Sequence, residues 1–397
     1  MVDAAGGDLP RSADTRRPDS HEQLFRGPSV QDVLESNGGT LPGFDIFRLC
    51  LSLLVVLVHS CLLSYGLDGS RALLSAPYVS FMLSLLPLFF SLSGFLVAGS
   101  ALRLRNTGTF LLFRTLRIVP ALAVEVTISA LILGPLLTSR PLRDYFTNAD
   151  FFSYFGNIIG RIRFALPGVF EGLPVHGIVN GNLWTLRPEF FCYAIMALLM
   201  LSRVAYSRKL TTLLWLVATV AMVVLNQTTE ELEPGGYFGP TLLVYSFVTG
   251  IVAFHWREQI RLNAAVALLA ATSAYLLLIA PKNAMFSIPA LTYLMIWIGA
   301  QRLPSVGGDY SYGVYLFSYP IQQTLVATFP SLREWWLLFP TGAIIALLVA
   351  ALSWRWIESP ALELKRPALA LSLRMKAKLV STAAGLRAVL RHRPGMT

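Results

Sequence analysis

The chain has 397 residues, of which 55% are hydrophobic and only 14% charged, with a mean hydropathy of +0.60 and a net charge of +10. So few charges cannot cover a soluble surface, which excludes a soluble enzyme and points to an all-α, polytopic membrane protein. The positive excess tracks the alternation of apolar spans and forms no single basic patch, so no nucleic-acid partner is expected.

Residues 1–43 are polar and rich in Pro, Gly, Asp and Arg, with no apolar signal-peptide core, and read as a disordered cytoplasmic tail. Ten candidate spans follow, at about 44–66, 78–98, 117–137, 184–201, 210–226, 239–255, 263–280, 285–300, 310–329 and 335–357. An even number places both termini on one side. With Arg117 at the start of span three counted in, 22 Lys and Arg beside the spans fall on the side of the termini and seven on the other, which also holds Glu230, Glu231 and Glu233. This asymmetry predicts both termini in the cytoplasm. Residues 138–183 form a long outer connection dense in aromatics (Tyr145, Phe146, Phe151, Phe152, Tyr154, Phe155), as expected of an interfacial or re-entrant segment. The tail 361–397 mixes Leu, Met and Val with basic residues and reads as an amphipathic segment attracted to anionic lipid. Cys50, Cys61 and Cys192 lie in apolar stretches without CxxC spacing, so neither a disulfide framework nor a metal site is expected.

The first span, FDIFRLCLSLLVVLVHSCLLSYG, carries Arg48 and His59 at membrane depth, where ionisable groups need partners or water. Eleven residues at ~100° each bring the two within ~20° of one helix face, ~16 Å apart along the axis. Span three repeats this spacing between Arg114 and Glu125, with Arg117 beside its cytoplasmic end. Span four is entered through NGNLWTLRPEFFCY; Pro188 suits a first helical turn, which puts Glu189 near the outer end, at about the depth of His59. The pattern is a site with two ends. Arginines, whose planar forks suit phosphate, gather at the cytoplasmic mouth. A histidine able to take a proton, with a carboxylate to orient it, sits at the outer mouth. Each feature has a plainer alternative: Arg114 and Arg117 as topology anchors, Glu189 as a helix cap, and the run FFSLSGFLVAG as close packing through small residues.

Taken in order, these residues resemble the membrane acyltransferase-3 family of bacterial inner-membrane glycan O-acyltransferases. The matching pieces are FDIFRLCLSLLVVLVHS with Arg48 and His59, PLFFSLSGFLVAGS, FLLFRTLRIVP with Arg114-x-x-Arg117, NGNLWTLRPEFFCY, GDYSYGVYLFSYPIQQ and WIESPALELKR with Glu358 and Pro360. The resemblance implies transfer of an acyl group, usually acetyl, from cytoplasmic acyl-CoA to a hydroxyl of an exported or lipid-linked glycan. It implies that Arg48, Arg114 and Arg117 contact the phosphates of acetyl-CoA or another acyl-CoA, and that His59 is the base. Glu189 is assigned to catalysis with His59, Asn182 and Trp184 to the substrate, and no metal is involved. Ser318 stands where many members carry a His, Arg187-Pro188 precedes the glutamate where uncharged residues are usual, and no hydrolase-like domain is fused. The competing readings are a transporter or flippase for a lipid-linked saccharide, with Arg48, Glu125 and His59 along its path, and a membrane scaffold without activity.

Overall fold

The computed structural model describes residues 27–75, 77–224, 238–279, 284–304, 306–367 and 369–370. The acidic cluster Glu230, Glu231 and Glu233, the first 26 residues and the basic tail from residue 371 lie outside the described residues. The fold is helical; among the described residues the β contacts are two isolated bridges, Ser29 with Arg261 and Thr138 with Val169.

A short helix, α1 (Val30–Ser36), precedes the first long one. The expectation of a disordered tail therefore needs correction for residues 27–43. Ser29 and Asp32 form a reciprocal capping box, and Val30 is fully buried, its amide bonded to the Ile260 carbonyl at 3.1 Å. That local start signal outweighs the polar composition around it.

Ten long helices follow among the described residues: α2 (Phe44–Leu73), α3 (Val79–Leu104), α4 (Thr107–Leu137), then α7 (Leu186–Leu201), α8 (Arg208–Val224), α9 (Pro240–His255), α10 (Ala264–Ile279), α11 (Ala284–Gly299), α12 (Ser311–Thr328) and α13 (Trp335–Ser353). Five helical stretches are long and apolar enough to cross a membrane: Phe44–Leu73, Val79–Leu104, Thr107–Leu137, Gly181–Leu201 and Trp335–Pro367. Three more, α9, α10 and α11, are apolar but shorter. α8, α10 and α13 turn leucine, isoleucine and valine outward, including Val220, Leu268 and Ile344. Such wide apolar faces suit lipid better than water.

Gly66 marks the true end of the first straight cylinder. Its φ of +70° belongs to the left-handed region, and the helix resumes beyond it in a new direction. The connection 138–183 folds into α5 (Leu142–Thr147), α6 (Ala149–Tyr154) and a 3-10 turn. Tyr145 and Tyr154 are fully buried, the Tyr145 hydroxyl donating to the Ala130 carbonyl at 2.7 Å, so the aromatic cluster anchors this connection on α4.

The centre of the bundle is α3, whose apolar window is 78% buried against 33% for the stretch that begins with α13. It packs against α2, α4, α7, α9, α10 and α11. Close approach to α9 depends on two glycines. A Cβ on Gly94 would lie 1.9 Å from the Phe247 carbonyl oxygen, and one on Gly250 would lie 2.0 Å from that of Ser91. Ser91 adds a hydrogen bond to the Ser246 carbonyl at 3.2 Å and accepts one from Thr292 of α11 at 3.0 Å. The small residues of FFSLSGFLVAG thus do serve helix packing. Gly94→Ala is expected to force α3 and α9 apart and lower the thermal midpoint in detergent by the equivalent of about 1–3 kcal/mol of overpacking. Gly172→Ala, where an added methyl meets nothing within 4 Å, serves as the control; equal midpoints would disprove the close-contact role.

Candidate active site

Four segments bring charge to one end of the bundle. The first turns of α2 carry Asp45 and Arg48, and α4 carries Arg114 and Arg117 one turn apart. The link before α12 carries Asp309, and a π-helical turn, Trp354–Glu358, extends α13 to Glu358. Arg48 pairs with Asp45 at 3.0 Å and with Asp309 at 2.8 Å. Arg117 pairs with Asp309 through one nitrogen and with Glu358 at 2.8 Å through another. Its guanidinium also lies over the Tyr312 ring, 5.3 Å from the centroid. Ser311 donates to Asp309 at 2.6 Å and Ser353 to Glu358 at 3.0 Å. Residues five apart on a regular α-helix point ~140° away from each other. The wider π-turn is what lets Ser353 reach Glu358. At Asp309, burial alone would raise the carboxyl; Arg117, Arg48 and Ser311 outweigh it and hold the group below its ordinary value.

Arg114 differs from the other two arginines. Among the described residues it makes no ion pair with a carboxylate, and its Nε is buried without a hydrogen-bond partner. Its guanidinium sits between the rings of Phe110 and Tyr193, at 5.7 and 5.9 Å. All three arginines line a cavity of about 160 Å³, walled on its apolar side by Phe89 and Phe90 of α3. Asn182, Thr185 and Glu189 are among its other polar lining residues.

Further along α2 lies a second, small chamber of about 10 Å³, room for about one water, formed by Val55, Val58, His59, Leu85 and Trp184. His59 is 5% exposed, with the Tyr319 ring edge-on to it at 5.1 Å. Leu86 and Tyr315 line both spaces and so form the wall between them.

A family profile described as an acyltransferase domain, acyltransferase-3, matches residues 41–355. The chain belongs to the acyltransferase-3 family. It is 29% identical over 372 residues to a protein named nodulation protein 10 from Rhizobium leguminosarum bv. viciae, covering 83% of this chain and 96% of that one. It is 25% identical over 357 residues to a protein named O-acetyl transferase from Shigella phage Sf6, covering 83% and 98%. No solved structure matches it.

In this acyltransferase the helical spacing from Arg48 to His59 carries one face of α2 past both spaces in turn. Asn182 faces the arginine-lined cavity and Trp184 the histidine chamber. Glu189 requires a correction. It lies in the arginine-lined cavity, accepting from the Tyr193 hydroxyl at 2.5 Å, and does not line the chamber of His59. The cause is the 3-10 turn Gly181–Thr185, which spends the outer level on Trp184 before the regular helix begins. Glu189, five residues later, is then ~7.5 Å deeper. Glu125 is 1% exposed, accepts from Ser129 and Asn180 at 2.9 Å each, and lines neither space. Asp309 and Glu358 are the carboxylates paired with these arginines that spacing alone did not single out. The available signal was demand: three arginines at one end call for carboxylates at the same end of other spans.

Removing one partner from a buried ion pair leaves the rest uncompensated, at about 3–5 kcal/mol. Arg117→Ala is therefore expected to destabilise the fold by that order, whereas Arg114→Ala leaves the thermal midpoint nearly unchanged. Equal effects of the two substitutions in a thermal-shift assay would contradict the assignment. Because the Asp309 carboxyl is depressed, its contribution is fully present above the ordinary value of 3.8 and lost as pH falls through the folded-state value. Asp309→Asn should remove that acid-dependent part of the stability curve.

Proposed function

We propose that this acyltransferase is an O-acetyltransferase of a bacterial inner membrane, moving an acetyl group from cytoplasmic acyl-CoA to a hydroxyl of an exported or lipid-linked glycan. The observation that carries the reading is the continuity of the site along α2: an arginine-lined cavity, then a histidine in an adjoining, mostly apolar chamber. The name of the Shigella phage relative supports acetyl transfer.

Arg114, which among the described residues makes no ion pair with a carboxylate, is the arginine best placed to take a phosphate of the donor, in a charge-assisted contact. Arg48 and Arg117 already hold carboxylates, and contribute to the donor's anionic end with the groups these leave. The pantetheine arm of a coenzyme A thioester is long and thin, and runs from there toward His59. The acceptor oxygen attacks the thioester carbonyl carbon, the C–O bond forms as C–S breaks, His59 takes the hydroxyl proton, and the thiolate leaves to be protonated in turn. Glu189, at the donor end, acts on the donor side and not as the orienter of His59. The flippase reading is weaker, because the Glu125 it needs on its path is 1% exposed and lines neither space.

All ten long helices then serve as spans, with both termini cytoplasmic, as the Lys/Arg asymmetry requires. The basic tail, beyond the described residues, would rest on anionic lipid. A reporter fused after Arg208 or at the C-terminus should behave as cytoplasmic and one at Glu231 as extracytoplasmic; an extracytoplasmic C-terminus would reverse the orientation.

His59→Ala and His59→Gln are both expected to lose transfer by at least the 10²–10⁴ of a general base, while retaining acyl-CoA binding. Arg114→Ala should weaken acyl-CoA binding by about 1.5–3 kcal/mol, roughly ten- to more than a hundredfold, with partial recovery in Arg114→Lys. Radiolabelled acetyl incorporation and calorimetric donor binding measure the two ends separately. Substantial transfer by His59→Gln would sink the acid–base role.

A further inference from the structure

The two spaces along α2 meet at a partition. Leu86 of α3 and Tyr315 of α12 line both the arginine-lined cavity and the chamber of His59. Tyr315 is fixed there from three directions. Its hydroxyl is hydrogen-bonded to Thr185 at 2.8 Å, and its backbone carbonyl accepts from the Asn182 side chain. Its ring meets Phe89 edge-on at 6.1 Å. Thr185 in turn donates to the Asn182 carbonyl at 3.0 Å, so both polar holds belong to the 3-10 turn Gly181–Thr185. That turn also carries Trp184 into the histidine chamber.

A donor whose phosphates rest among the arginines and whose carbonyl reacts at His59 must cross this partition, since reacting atoms have to come within ~3–3.5 Å. What lies beyond is small and, apart from His59, lined by Val55, Val58, Leu85 and Trp184. That space has room for about one water, so a short apolar acyl group fills it only as the partition gives way, and a longer one meets its walls. The partition itself is a leucine and an aromatic ring, which keep water of the larger cavity from the thioester carbon.

We propose that Tyr315, latched to Thr185, and Leu86 together form a specificity partition that admits the acyl end of the donor to the His59 chamber, limiting it to short acyl groups and favouring transfer over hydrolysis. This rests on the acyl-CoA reading above. In hydrolysis, water replaces the glycan hydroxyl: its oxygen bonds to the acyl carbon, C–S breaks, and free carboxylic acid and thiol are released. Tyr315 and Leu86 are positioning residues; neither supplies the reacting proton.

The test uses membranes of the producing bacterium, deleted for the protein and complemented with the full chain, supplied with radiolabelled acetyl-, butyryl- or hexanoyl-CoA. Label in glycan and label in free acid are counted separately. Leu86→Ala should raise the hexanoyl-to-acetyl transfer ratio about tenfold or more, the scale set by added methylenes in an apolar pocket. Tyr315→Phe keeps the ring and breaks the latch; it should raise the free-acid share severalfold with little change in chain-length ratio. Thr185→Val should do the same, and the double variant should add little, because the two residues act through one bond. Should Leu86→Ala fail to accumulate, Leu86→Val reads the same ratio with a smaller shift. Transfer with unchanged chain-length ratio and unchanged free-acid share in the folded variants overturns the partition. So does a folded Leu86→Ala inactive with every donor. A wild-type chain that transfers none of the three labels sinks the donor reading itself, and the partition with it, an outcome distinct from the others.

Discussion

Arg117 is the charge on which the arrangement of this site depends. Its guanidinium is reached by carboxylates from two distant parts of the chain, Asp309 before α12 and Glu358 at the end of α13, and Asp309 also holds Arg48 of α2. Four segments far apart in sequence are thereby fixed at one end of the bundle. Buried ion pairs contribute little net stability compared with apolar packing of similar volume, because desolvation offsets attraction. Their effect is instead to penalise every arrangement that separates them. A cluster of this kind is suited to holding a cavity open, since apolar walls alone would tend to close on it.

The apolar frame supplies the opposite tendency. Gly94 and Gly250 let α3 and α9 touch at their backbones, which draws α3 into the centre of the bundle. The other side of α3 then presents Phe89, Phe90 and Leu86 to the two spaces along α2. Close packing on one face and cavity lining on the other come from one short run of sequence. The run therefore mixes small residues at the helix contact with large aromatic ones at the cavity.

How much of this was legible in the sequence varies by residue for physical reasons. The Arg48–His59 relation could be read because a regular α-helix turns by a constant angle, and α2 is regular up to Gly66. Glu189 was misplaced in depth because a 3-10 turn, which nothing in the hydrophobic pattern announces, occupies the entry to α7. The bond between Ser353 and Glu358 needs a π-turn and is invisible to a 3.6-residue period. The helix Val30–Ser36 was hidden by its polar surroundings, although its Ser29–Asp32 capping pair is a local signal of the readable kind. Regular helix predicts well; two departures from it, the 3-10 turn Gly181–Thr185 and the π-turn Trp354–Glu358, fall at the site.

Those departures also explain how one site keeps two incompatible environments. Phosphate recognition needs cations and tolerates water, whereas a thioester near a histidine needs water kept away. Along a straight helix the two would grade into each other over the ~16 Å between Arg48 and His59. The 3-10 turn prevents this by placing successive residues on different sides of the boundary. Asn182 and Thr185 face the arginine-lined cavity, Trp184 faces the histidine, and the two polar residues together hold Tyr315 in the wall between. One turn of irregular backbone therefore separates the charged space from the mostly apolar one and, through the same hydrogen bonds, fixes the residue at their border.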